Sequence, residues 1–161
     1  MRYLMRFSLA LAIVFLYLGA GTKETKLTEG IQPGNLAPEI NLQGIDLNGN
    51  GYVLVQFWAA YDPQSRLKNV QMYNVISRSE IAGLRMVSVS FDENPAVFQG
   101  IIKTDHLDDA TQWNEPNGIR SALFKAYRLK AGGFGNWLLD SNGVIVARNV
   151  SPTEVLERIS L

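Results

Sequence analysis

Residues 53–65 join a buried strand directly to the start of a helix. The first part, residues 53–58, is apolar and rich in β-branched and aromatic side chains, a composition typical of a central strand. Asp62 and Pro63 follow, and these residue types are typical of an N-cap and of the first position of a helix. A strand that ends at a helix N-terminus is characteristic of α/β proteins, which often place their chemistry at this junction.

The composition is that of one globular domain. Of the 161 residues, 47% are hydrophobic and 19% are charged, which allows a sizeable core and argues against disorder. The formal net charge is zero and no lysine or arginine run occurs, so no nucleic-acid partner is predicted. The chain has no cysteine, which excludes disulfides and any thiol chemistry by its own side chains.

The N-terminal residues have the pattern of a secretory signal peptide. Arg2 and Arg6 give a positive start, residues 7–18 form a nearly unbroken apolar run, and residues 19–21 are small. The apolar run is short for a membrane-spanning helix, so the pattern predicts a signal peptide over residues 1–21. An uncleaved membrane anchor is the alternative.

The rest of the chain divides into a tether and a single domain. Residues 22–33 are mostly polar and contain glycine and proline, which predicts a tether. Residues 34–161 are predicted to form one folded domain. With the signal peptide, this organisation predicts an exported protein of the periplasm or cell envelope, which meets the membrane only through an uncleaved signal segment, if at all.

Hydrophobic spacing predicts a strand–helix–strand unit around the junction. Residues 63–79 have helical periodicity and residues 84–91 have the composition of a strand, which implies a right-handed parallel crossover. The side of the helix that faces the sheet is predicted to carry Leu67, Val70, Tyr73 and Ile76.

The remaining segments complete an α/β fold. Residues 36–42 predict an edge segment, and residues 141–143 predict a tight turn between two hairpin strands. Ser151 and Glu154 have the spacing of a capping box that opens a last helix. The other predicted elements are two helices and a short strand, at residues 95–103, 119–127 and 111–113. The sequence therefore predicts a central mixed β-sheet with helices on both faces.

Two segments partly match metal sites, and neither predicts one. Residues 46–51 match the first half of a calcium loop, but Phe57 stands where the bidentate glutamate is required. Residues 105–109 hold the only histidine, His106, among three carboxylates, and such a run is typical of a solvated loop. No metal and no other cofactor are predicted.

Taken in order, the motifs of residues 34–161 resemble the extracytoplasmic thioredoxin-like thiol–disulfide oxidoreductases of the TlpA/ResA kind. Residues 34–40 are similar to that family's N-terminal motif, and residues 53–59 to its strand before the active site. Residues 87–92 are similar to its next strand, and residues 138–145 to its hairpin. The resemblance implies a thioredoxin-like fold and, for the family, disulfide exchange at a C-x-x-C site.

The residues that carry the family's chemistry are replaced in this chain. The resemblance places Asp62 at the nucleophilic cysteine and Ser65 at the resolving cysteine, and neither supplies the thiolate that disulfide exchange requires. The family's cis-proline corresponds to Phe134 after Gly133, where a trans bond is expected because a cis bond costs about 2.5–4 kcal/mol. A buried acid of thioredoxins proper corresponds to Gln56. The resemblance therefore implies a degenerate redox site.

The surface of the former active site is the candidate binding site. By resemblance it is bordered by Tyr61, Asp62 and Gln64 on one side and by Gly133 and Phe134 on the other. Family members bind extended polypeptide there, and aromatic side chains beside accessible backbone suit a polypeptide or a small ligand. Alternatively, Tyr61 and Phe134 simply pack over the vacated site, and Asp62 serves only as an N-cap.

Three functions follow from these observations. The favoured one is a non-catalytic thioredoxin-fold binding or accessory protein of the cell envelope. The alternatives are a thiol–disulfide oxidoreductase or peroxidase, by similarity only, and a structural component of an envelope complex. No catalytic residue is predicted, because the sequence shows no acid, base or metal ligand near Asp62 that could act with it.

Overall fold

The fold is built on a five-stranded mixed sheet, seen in a computed structural model that describes residues 27–43, 45, 47 and 50–159. The strands are β1 (Tyr52–Trp58), β2 (Leu84–Ser90), β3 (Gln112–Asn114), β4 (Asn136–Leu139) and β5 (Ile145–Arg148). The helices are α1 (Pro63–Ile76), α2 (Pro95–Thr104), α3 (Ala122–Ala126) and α4 (Pro152–Ile159). Short 3₁₀ turns occupy Asp109–Thr111 and Gly118–Arg120. The predicted signal peptide, residues 22–26 of the tether and part of the calcium-like turn lie outside the described residues.

Strand β1 lies at the centre of the sheet. The strand order is β3-β2-β1-β4-β5. β1 is parallel to β2 and antiparallel to β4, so that Val55 lies opposite Val87 on one side and Trp137 on the other. β2 and β3 are parallel, and β4 and β5 form the predicted hairpin. The predicted mixed sheet is therefore confirmed.

Alternate strand residues supply two cores, one on each face of the sheet. On one face, Val53, Val55 and Phe57 of β1 pack with residues of α3 and of the segment that follows it. On the other face, Leu54 packs with α1 and α4, while Trp58 packs with α2. Helices therefore cover both faces, as predicted, and no helix in the described part of the chain has the length and apolarity to cross a membrane.

A polar seam attaches α1 to the sheet. Asn69 of α1 accepts a hydrogen bond from the Ser88 hydroxyl at 2.6 Å, and its amide donates to Gln112 Oε1 at 3.1 Å. The buried side of α1 consists of Ser65, Asn69, Met72 and Ile76. Leu67, which was predicted to face the sheet, is instead 58% exposed, so that part of the prediction is wrong. Compared with the predicted orientation, α1 is rotated about its axis, because its buried polar groups form hydrogen bonds with partners on β2 and β3.

The predicted helix over residues 119–127 is broken by a cap. Ser121 has an extended backbone, with φ −62° and ψ 156°, and its hydroxyl accepts from the Phe124 N–H at 3.1 Å. A serine that caps a helix in this way interrupts any helix that precedes it, so Gly118–Arg120 forms a separate 3₁₀ turn.

The segment before β1 lies along the hairpin without forming a strand. Leu36 makes isolated bridges to Glu29 and Val144, and the residues on either side of it add single backbone hydrogen bonds. The Trp137 indole N–H also donates to the carbonyl of Ile31 at 3.1 Å. Ile31, which belongs to the predicted tether, therefore lies against the domain.

Candidate functional site

Asp62 and Ser65 hold the β1–α1 junction together by hydrogen bonds. Asp62 has an extended backbone and accepts the Gln64 N–H at 3.3 Å, so it is the N-cap of α1. Ser65 is buried: its hydroxyl accepts the Ala59 N–H at 3.3 Å and donates to the Asp62 carbonyl at 3.1 Å. The two positions that carry cysteines in the redox family thus have structural roles here.

Removal of the Asp62 cap is expected to destabilise the fold modestly. Asp62→Ala leaves the Gln64 N–H without its side-chain partner and should lower the free energy of unfolding by about 0.5–2 kcal/mol. Asp62→Asn keeps an accepting oxygen and should lower it much less. Urea denaturation of the wild type and of both variants measures these free energies of unfolding. An Asp62→Ala variant as stable as the wild type would show that the cap contributes nothing.

Gln56 and Phe134 occupy the positions of the buried acid and the cis-proline of a redox site, and neither reproduces the feature that it replaces. Gln56 is fully buried, donates to the Phe57 carbonyl at 2.7 Å and accepts from the Asn136 amide at 3.2 Å. A hydrogen-bonded neutral amide therefore replaces the buried acid. None of the described peptide bonds is cis, which confirms the predicted trans bond between Gly133 and Phe134.

Tyr61 and Phe134 form a pair of rings at the surface, and the core supports one of them. Their ring centroids lie 6.3 Å apart. Phe134 is half-buried, stacks on Phe91 at 5.8 Å and meets the edge of Phe124 at 6.3 Å. Tyr61 is 56% exposed. Packing over the vacated site therefore accounts for Phe134 but leaves Tyr61 largely in solvent.

Three carboxylates act electrostatically on the Tyr61 hydroxyl. Burial of the ring and the negative charges of Asp92, Asp62 and Glu93 raise the pKa of Tyr61. The largest of these electrostatic effects comes from Asp92, which is buried and accepts the Ala60 N–H at 2.9 Å and the Ser90 hydroxyl at 2.6 Å. Tyr61 therefore stays a neutral phenol at physiological pH, able to donate a hydrogen bond.

Two shallow grooves meet at Ala60. The first, of about 480 Å³, is named here the Tyr61 groove and is lined by Ala60, Tyr61, Asp92, Glu93, Asn94, Val97 and Ile101. The second, of about 380 Å³, is lined by Ala60, Pro63, Arg66, Leu67, Val70 and Asp105. Val97 and Leu67 are 44% and 58% exposed, so each groove has an apolar wall.

Sequence reasoning missed both grooves. Hydrophobic spacing predicts Leu67 on the buried side of its helix and gives no signal for Val97. Only the Asp92 carboxylate, at the end of a strand beside the junction, offered a signal in the sequence.

Arg66 makes a two-pronged ion pair with Asp105, at 2.6 and 2.7 Å, at the second groove.

The structure brings the predicted site residues to one end of the sheet but does not assemble a metal centre. Tyr61, Asp62 and Gln64 follow β1 directly, and Phe134 reaches Tyr61 from the loop before β4. Among the described residues, no three His, Asp or Glu side chains are grouped closely enough to hold a metal ion. Asp105, in the acidic run beside His106, is paired with Arg66.

Comparison with known proteins places the chain among solved thioredoxin-like structures. No protein-family model matches it, and no curated protein matches its sequence. A thioredoxin-like protein from Parabacteroides distasonis is 41% identical, with a TM-score of 0.76; the match covers 84% of this chain and 100% of that one. The thioredoxin domain of a thiol-disulfide oxidoreductase from Bacteroides vulgatus is 23% identical, with a TM-score of 0.65; the match covers 81% and 99% of the two chains.

A third solved structure shows the same fold. A thiol-disulfide oxidoreductase from Bacteroides fragilis is 23% identical, with a TM-score of 0.55, over 68% of this chain and 81% of that one. The mixed sheet and the helix N-terminus after β1 define the class as a thioredoxin-like α/β fold without redox cysteines. The chain belongs to the thioredoxin-like proteins. The predicted fold class and the predicted resemblance are thereby confirmed.

Proposed function

We propose that this chain is a redox-inactive, thioredoxin-fold binding or accessory protein of the cell envelope. It binds an extended polypeptide at the surface formed by Tyr61, Asp62, Gln64, Gly133 and Phe134, and a small ligand is the alternative occupant. One observation carries the proposal: an exposed tyrosine ring is held beside a phenylalanine that the core anchors. Aromatic side chains have few rotatable bonds, so such a pair offers contact area at a low cost in conformational entropy.

The loop before β4 supports a polypeptide as the occupant. Gly132 and Gly133 are exposed and carry no side chains, so another backbone can approach closely. Gly132 has φ +72°, a conformation that favours glycine. An extended chain that lies between this loop and Tyr61 would place its backbone against the loop and its side chains in the two grooves.

The activity that the names of two structural neighbours describe requires thiols. Disulfide exchange proceeds by attack of a thiolate on sulfur, and this chain has no cysteine. A binding role therefore fits the chain better than catalysis of that kind. Location in the cell envelope rests on the signal-peptide pattern of residues 1–21.

Loss of the aromatic pair is expected to weaken peptide selection strongly. A library of random heptapeptides displayed on phage is panned against the wild-type protein and against the Tyr61→Ala/Phe134→Ala variant. Truncation of anchor aromatics typically costs at least about 2 kcal/mol, so enrichment should fall by roughly thirtyfold. Val146→Ala removes an exposed apolar side chain from β5 and should enrich the same peptides as the wild type. Equal enrichment by the double variant would refute the proposed surface.

A further inference from the structure

We infer that the Tyr61 groove binds a lysine or arginine side chain of the polypeptide, with its cationic group against Asp92 and Glu93. The inference rests on the proposed function and specifies the chemistry of the partner. It follows from three properties of the groove: the sign of its charges, the hydrogen bonding of Asp92, and the apolar side chains in its lining.

The charged residues that line the Tyr61 groove are both acidic. They are Asp92 and Glu93, and none of the lining residues is basic. Glu93 meets Arg120 at 3.2 Å, but both side chains are more than half exposed, and such surface pairs contribute little. In the part of the chain that the structure describes, Asp92 makes no ion pair.

Asp92 is a buried carboxylate with unused capacity to accept hydrogen bonds. Its exposed fraction is 4%, and its donors are the Ala60 N–H and the Ser90 hydroxyl. An ionised carboxylate can accept about four hydrogen bonds, so further donors can be accommodated. A buried charge without a counterion is unfavourable, and a cation supplied by the partner would offset that cost.

The wall of the groove suits the aliphatic stem of a long cationic side chain. Val97 is 44% exposed, Ile101 is partly buried, and the Tyr61 ring borders the same space. Lysine and arginine pack their methylene groups on apolar surface while the charged end reaches polar groups. The Tyr61 ring can add a cation–π contact. A neutral apolar side chain would use the wall but leave Asp92 without a counterion.

Nearby basic residues do not fill the groove. Arg66 lies at the second groove and is held by both oxygens of Asp105. Arg120 is paired with Glu93 and is not among the lining residues. Neither of these two described arginines pairs with Asp92, and we assign that role to a cation of the partner.

The test reads the composition of the peptides selected in the library experiment. Wild-type protein should enrich lysine or arginine over glutamine at one peptide position by about tenfold, because a hydrogen bond between charged groups discriminates by that order. Asp92→Asn preserves the shape of the side chain and removes its charge, and should abolish the bias. Glu93→Gln, on the exposed rim, should reduce the bias by about twofold. Glu157→Gln on α4 lies outside the groove and should leave the bias unchanged.

The outcomes separate this inference from the proposed function. A cooperative thermal unfolding transition establishes that each variant is folded. If Asp92→Asn does not fold, Glu93→Gln still tests whether the bias depends on the carboxylates of the groove. Peptides that depend on Tyr61 and Phe134 but show no cationic bias, or a bias that survives both carboxylate variants, would overturn the inference and leave the proposed function standing. The absence of any peptide that depends on Tyr61 and Phe134 would refute both.

Discussion

Two cysteines introduced together by Asp62→Cys and Ser65→Cys are expected to give this chain thiol–disulfide exchange activity, which the wild type cannot have. The two positions are the N-cap of α1 and the buried residue three places later. A helix N-terminus stabilises a thiolate for the same reason that it favours the Asp62 carboxylate. The junction therefore retains the helix N-terminus that stabilises a thiolate in a redox site.

The size of this effect follows from the thiolate fraction. A free cysteine has a pKa of about 8.5, whereas C-x-x-C motifs at helix N-termini have values of roughly 7 or below. At about pH 7 the first thiol of the double variant should be ionised at least roughly tenfold more than a free cysteine. Its alkylation rate with iodoacetamide should rise by a smaller factor, because the nucleophilicity of a thiolate falls with its pKa, and the oxidised form should lose both reactive thiols.

Insulin reduction in the presence of dithiothreitol measures the activity itself. The single variants Asp62→Cys and Ser65→Cys are the matched controls, because neither can form the internal disulfide. The double variant should exceed both of them, and the wild type should equal the uncatalysed background. If the double variant does not exceed the single variants, the junction lacks more than its thiols, and the loop that presents Phe134 becomes the next feature to change.

Replacement of Phe91 by alanine is expected to cause a large loss of stability. Phe91 is fully buried, and its ring lies 5.5 Å from Phe57, 5.4 Å from Phe124 and 5.8 Å from Phe134. Phe→Ala substitutions in a core typically lower the free energy of unfolding by about 3–5 kcal/mol. The same change removes the support beneath Phe134, so peptide selection should weaken as well.

Chemical denaturation and peptide panning distinguish the two consequences. Phe91→Leu retains most of the buried volume and should cost much less stability, although it removes the ring stack beneath Phe134. Val97→Ala, at an exposed position, should change stability by less than about 0.5 kcal/mol. A Phe91→Ala variant as stable as the wild type would show that the ring cluster is not a continuous part of the core.

The strand–helix junction was predictable because its signals are local. The apolar β1 sequence, the Asp62–Pro63 helix start and the Ser151 capping box each specify their own geometry within a few residues. Their order along the chain matches the thioredoxin-like pattern, which supplied the sheet topology. The positions of the two replaced cysteines then followed from alignment of the junction, and that of the replaced cis-proline from alignment of the hairpin.

The surface around the junction was not predictable, because it depends on partners that are distant in sequence. Asn69 meets a hydroxyl 19 residues away and an amide 43 residues away, and these bonds rotate Leu67 into solvent. Asp92 binds a backbone N–H 32 residues before it. Hydrophobic periodicity gives the spacing of an apolar stripe but not the polar contacts that decide which stripe is buried.

The polar seam under α1 has a mechanical consequence. Apolar contacts are not directional, whereas the Ser88–Asn69–Gln112 hydrogen bonds require their donors and acceptors to face one another and so specify the rotation of the helix. That rotation fixes the height and direction from which α1 presents its first turn. Because the first turn of α1 is preorganised, a ligand that contacts it loses no binding energy in orienting it. Even a shallow surface can then discriminate between partners.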